Sequence, residues 1–100
     1  MKTNGYIGLE LDLANGLTPL ARMVLDARLF GLVSDTETCA GWDPARMQTL
    51  YDRVYAAWEP WAHLPSQLPD ELRARHSSLY DRALSMARAL GWEARLGDDD

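Results

Sequence analysis

The sequence predicts a mainly α fold: a small helical domain of three longer helices and a short helical turn. A candidate two-stranded β element from the N- and C-terminal segments completes it. Three observations carry this expectation. Apolar residues recur at steps of three and four through residues 47–58 and 72–90. Two cap-plus-proline pairs, Thr18-Pro19 and Asp43-Pro44, open helical patterns. Gly31, Gly41 and Gly91 stand where such patterns stop.

Taken in order, residues 6–13 come first. Leu9, Leu11 and Leu13 alternate with Glu10 and Asp12, which reads as a half-buried strand ended by the turn pair Asn15-Gly16. Gly8 weakens the run from inside. Thr18 then supplies a hydroxyl cap and Pro19 a first helical residue with no amide to satisfy. In the helix near 18–30, Leu20, Met23, Val24, Ala27 and Phe30 share a face, but Leu25 and Leu29 lie on another. A helix apolar on two sides is buried on both or meets a second chain. In the second case Leu25 and Leu29 are the self-association residues.

Ser34-Asp35-Thr36-Glu37 has capping-box spacing and predicts a short helical turn stopped by Gly41. Asp43-Pro44 opens the most regular helix, near 44–59. Its stripe of Met47, Leu50, Tyr51, Val54, Tyr55 and Trp58 ends where Pro60 removes a backbone donor. After a proline-containing connector, a helix near 69–90 places Leu72, His76, Leu79, Ala83, Met86 and Leu90 on a seam suited to antiparallel packing on its predecessor. Trp92, Ala94 and Leu96 alternate with Glu93 and Arg95, the second candidate strand, with Arg95 near Glu10 or Asp12. Residues 1–97 thus form a single helical domain, and residues 98–100 an acidic tail.

Composition bounds the function. The chain has 100 residues, a net charge of −5, and is 47% hydrophobic and 25% charged, which is globular. Residues 1–45 hold six acids against three bases, and residues 46–97 six against seven. This distribution argues against direct nucleic-acid binding, which needs Lys and Arg to displace counterions. It favours a basic partner, or none, with the net charge serving solubility alone. The lone Cys39 has no intrachain disulfide partner, and neither a secretory leader nor a membrane-spanning run is apparent, so the expected location is the cytoplasm.

No phosphate cradle, nucleophile elbow or zinc-ligand spacing occurs, so neither a cofactor nor a metal is expected and the chain does not read as an enzyme. His76 reads as a packed histidine of the seam; the cluster Tyr51, Tyr55, Trp58 and Trp61 reads as core before it reads as a binding hot spot or ligand cage, with Trp61 nearest the surface. The acids of the first half are the candidate partner-binding set: Glu10 and Asp12 on the polar side of the strand, Asp26 on the exposed side of the first helix, and Asp35, Glu37 and Asp43 in the connector. Capping explains the last three equally well.

The chain as a whole, opening Met-Lys-Thr-Asn-Gly-Tyr-Ile-Gly-Leu-Glu-Leu-Asp-Leu, resembles small phage-encoded anti-CRISPR proteins directed against type I-F systems. The likeness is one of overall look across most of the chain. Such families share no motif, so no functional residue is carried over. It implies a non-catalytic inhibitor in the bacterial host cell, which binds a basic subunit of the type I-F surveillance complex and blocks its DNA. The alternative is a homodimeric structural or adaptor module with an apolar helix interface.

Overall fold

The computed structural model describes residues 5–93. The second candidate strand, from Ala94 onward, and the acidic tail lie outside them. Four α-helices follow one another: α1 (Leu9–Asp12), α2 (Pro19–Leu29), α3 (Pro44–Trp58) and α4 (Asp70–Ala89). A 3-10 turn (Leu13–Asn15) extends α1, and two more (Glu59–Trp61 and Pro65–Gln67) link α3 to α4. The mainly helical class is as expected, and no strand occurs among the described residues.

The expected strand at residues 6–13 is therefore corrected. Leu9, Asp12 and Leu13 are buried while Leu11 is 67% exposed, which is the spacing of a helix and not of a strand. Gly8, at φ 99°, turns the chain into α1. What precedes it does pair with another segment, but with residues 38–42. Tyr6 N–H donates to the Trp42 carbonyl (2.9 Å), Gly41 N–H to the Tyr6 carbonyl (2.7 Å), and Leu9 N–H to the Thr38 carbonyl (2.9 Å).

Both cap-plus-proline starts hold. The Thr18 hydroxyl accepts from Ala21 N–H (3.0 Å) and an Asp43 carboxylate oxygen from Arg46 N–H (2.8 Å). Helices α2 and α4 end in paired bonds of the Schellman type, with Leu32 N–H on the Ala27 carbonyl and Trp92 N–H on the Ala87 carbonyl. The capping-box segment differs from expectation. Residues 34–37 close a turn through Glu37 N–H to the Ser34 carbonyl, and the Glu37 carboxylate accepts from Cys39 N–H ahead of it instead of reaching back.

The packing centre is α2. It packs on α1, α3 and α4, whereas α3 and α4 have little direct contact, so the expected antiparallel pairing of the two long helices gives way to a layer with α2 between them. The cause is the two-sided hydrophobicity of α2. Met23 faces α3, while Leu25 lines a hollow with Leu13 of the 3-10 turn and Leu79 of α4. Leu25 and Leu29 are 2% and 3% exposed. In this structure they are core residues, packed within the chain, and not an open face for a second copy. On α4 the buried line runs Leu79, Ala83, Ala87, leaving Met86 and Leu90 at the surface. No helix is long and apolar enough to cross a membrane among the described residues.

Gly16 locks the N-terminal turn against the end of α4. Its φ is +86°, and a Cβ there would stand 2.5 Å from the Trp92 ring. Gly16→Ala is expected to cost about 1–3 kcal/mol, because both the backbone and the ring must shift. Urea denaturation measures this. A Gly16→Ala protein as stable as wild type would contradict the seat of Trp92.

Candidate protein-binding surface

The predicted stripe on α3 splits into two rows. Met47, Leu50, Val54 and Trp58 are buried, but Tyr51 and Tyr55 are about half exposed, at 50% and 51%. They form one wall of a groove whose other wall is α2, through Leu20 (44% exposed) and Met23. At its upper end the groove meets Trp42, on whose ring the Arg46 guanidinium lies 3.7 Å from the centroid. At its lower end it opens into a hollow of about 340 Å³ over Asp26, which adjoins a second of about 380 Å³ reaching His76 and Tyr80 on α4. The two share Arg22, Asp26, Trp58 and His63.

Rings line this lower end in two groups, one tilted and one stacked. Tyr51 and Tyr55 stand 6.2 Å apart between centroids, and His63 lies 4.4 Å from Tyr55. Across the hollow His76 stacks on Tyr80 at 4.4 Å and 23°, and its edge meets Trp58. His63 is brought there by two successive left-handed residues, Ala62 (φ 55°) and His63 (φ 58°), neither of them glycine. Conformations of this kind persist only where surrounding contacts hold them.

In the floor, Asp26 accepts from the Tyr80 hydroxyl (2.8 Å) and from the Trp58 indole N–H (3.1 Å). Burial pushes its carboxyl pKa up, and these two bonds oppose that rise. The Tyr80 phenol is pushed up in turn, by burial first and then by the Asp26 charge, so it remains a donor.

The six candidate acids do not form one surface. Asp12 is buried (6% exposed) and accepts from the Tyr6 hydroxyl (2.6 Å) and the Thr18 hydroxyl (2.5 Å), a structural role on a residue expected to face solvent. Asp26 is likewise turned inward. Asp43 is the cap of α3 and stands apart from the others. Glu10 and Asp35 do converge, lining a hollow on the opposite side with Arg28 and Arg82. Asp35 pairs with Arg75 (2.5 Å), and Arg28 donates twice to the Glu37 backbone carbonyl. Glu10, Asp35 and Asp43 are the exposed members of the set, Asp35 in its pair with Arg75. Two further exposed acids neighbour the tyrosines along the chain, Asp52 on α3 and Glu59 at the start of the next 3-10 turn.

The helical stripe favoured the core over a binding hot spot for Tyr51 and Tyr55. The signal against it was their own pairing, since two phenols one turn apart make a stripe wider than the buried side of α3 can hold. His76 and Tyr80, also one turn apart, carried the same hint. The link from Asp26 to Trp58 had no local signal.

Among the described residues no group of three His, Cys, Asp or Glu side chains is disposed to hold a metal ion. Cys39 is buried, and its thiol is pushed up to about 11, chiefly by burial and then by the Glu37 charge, which disfavours the reactive thiolate. No protein-family model, no curated protein and no solved structure matches the chain.

Proposed function

We propose that this chain acts by binding a protein, without catalysis, and that its target is a basic subunit of a nucleic-acid-handling complex in the cytoplasm of a bacterial host. In its specific form the reading is an inhibitor that keeps DNA off a type I-F surveillance complex. The observation that carries protein binding is the groove between α2 and α3, where Leu20, Tyr51 and Tyr55 are each near half exposed on a chain of this size. Tyrosine presents a large rigid contact at low entropic cost, and it is enriched where single side chains dominate an interface. A basic target is supported by the net charge of −5 and by the exposed acids Asp52 and Glu59, which neighbour Tyr51 and Tyr55 along the chain. The surveillance complex itself rests on the resemblance.

The test is co-purification of the chain with a type I-F surveillance complex, and a DNA gel shift with and without the chain. Wild type is expected to bind and to suppress the shift. Tyr51→Ala and Tyr55→Ala should each weaken binding by roughly 10- to 100-fold, as truncation of an interface anchor does. Folding should be preserved, since neither ring is in the core. Arg88→Glu, on the exposed end of α4, is the control and should bind as wild type does. Added salt should slow association. A surveillance complex that neither retains the chain nor loses DNA affinity removes this target.

A further inference from the structure

We propose that the hollow over Asp26 is a receptor for a cationic side chain of the bound protein, an arginine guanidinium. The proposal rests on the reading that the chain binds a basic protein, and names the anchor.

The carboxylate is the first reason. Its oxygens take one neutral donor each, from Tyr80 and Trp58. An ionised carboxylate accepts about four hydrogen bonds, so acceptor positions remain. Among the described residues no ammonium or guanidinium lies within ion-pair distance of Asp26. Arg22, on the rim, is tethered elsewhere, with its Nε donating to the Leu17 carbonyl (3.2 Å). Arg22 and His76 act on this carboxylate only as neighbouring charges, without a direct ion pair; a partly desolvated anion in that position gains from a cation that contacts it. Burial already disfavours the ionised form.

The walls are the second reason. A guanidinium is planar, weakly hydrated, and binds by stacking its faces on rings while its edge donates to a carboxylate. Tyr55 and His63 line the hollow over Asp26, His76 and Tyr80 line the one adjoining it, and Asp26, common to both, supplies the acceptor. A lysine ammonium would use the carboxylate but not the planar faces. An anion would use Arg22 and the imidazoles but would meet Asp26 in the floor.

The probe is N-acetyl-arginine methylamide, titrated into the whole protein and followed by NMR at the Trp58 indole N–H and the amides of residues 26, 55 and 63. The neutral isostere N-acetyl-citrulline methylamide runs beside it, and inorganic phosphate tests the anion. Wild type should show saturable shifts with the arginine analogue in the millimolar range. The citrulline analogue should bind about tenfold more weakly, the loss expected when a charge-assisted bond becomes a neutral one. Asp26→Asn should remove the difference between the two. Because its amide would face one of the two donors and could disturb folding, two exposed positions keep the result decisive. Tyr55→Ala should weaken the arginine analogue severalfold, and Arg22→Ala, which removes a like charge, should tighten it. A purely structural Asp26 predicts the same preference for arginine over citrulline in wild type and in a folded Asp26→Asn.

The proposal is overturned by no shift up to tens of millimolar arginine analogue, by equal binding of citrulline, or by phosphate moving these resonances in its place. Such a failure leaves co-purification through the groove untouched. Intact arginine binding without co-purification removes the surveillance-complex target and leaves the receptor.

Discussion

Asp12→Ala should destabilise the domain by about 3–5 kcal/mol, the cost of breaking a buried charged network. Two hydroxyls, Tyr6 and Thr18, donate to this carboxylate at 2.6 and 2.5 Å. The effect reaches further than those bonds. The Thr18 hydroxyl that donates to Asp12 also accepts from Ala21 N–H, so the carboxylate fixes the orientation of the cap on α2, and α2 is the helix on which the others pack. Burial pushes the Tyr6 phenol pKa up, and the adjacent Asp12 carboxylate adds to the rise, which keeps Tyr6 a donor throughout the ordinary pH range. For a domain of this size the loss is a large share of a total near 5–15 kcal/mol. Asp12→Lys, which places an ammonium among donors, should abolish folding. Glu10→Lys, two residues earlier and exposed, should change stability by less than about 0.5 kcal/mol. Urea denaturation followed by circular dichroism measures all three. A cycle with Thr18→Val would show the coupling, and Asp12→Ala within 1 kcal/mol of wild type, by the usual ~1 kcal/mol worth of an exposed bond, would mean that water replaces these partners.

The contrast between Glu10 and Asp12 shows where the sequence is readable and where it is not. Helix starts were legible because the chemistry is local: Thr18 and Asp43 reach an amide three residues on, and Pro60 stops α3 through its own missing donor. The run Leu9-Glu10-Leu11-Asp12-Leu13 is compatible with both periods, since Leu9 and Leu13 share a side in a strand and in a helix. Which period wins depends on whether Asp12 or Leu11 goes inward. That was decided by Tyr6 and Thr18, each six residues from Asp12. The same holds for Asp26. Its partners Trp58 and Tyr80 are 32 and 54 residues away. An acid on the polar side of a helix therefore looked like surface, while its fold-level neighbours made it the floor of a hollow. Side-chain networks of this kind are invisible to periodicity, which sees polarity and not partners.

Leu25→Glu is expected to unfold the protein at every concentration. The second apolar face of α2 admitted two explanations, a second intramolecular packing layer or a contact with another copy, and the two predict different behaviour for this substitution. An interface residue turned to glutamate gives a folded monomer. A core residue turned to glutamate gives no folded state, because it loses the buried side chain, worth about 2–5 kcal/mol as a Leu→Ala truncation, and adds a carboxylate in an apolar site. At 2% exposure, lining a hollow between Leu13 and Leu79, Leu25 belongs to the second case. Leu25→Ala should lower stability within that truncation range and retain the fold. Thermal melts of wild type and both variants, run at several protein concentrations beside sedimentation equilibrium, separate the explanations. A folded, monomeric Leu25→Glu beside a dimeric wild type, with a melting temperature that rises with wild-type concentration, would return Leu25 and Leu29 to an interface and displace α2 from the centre of the core.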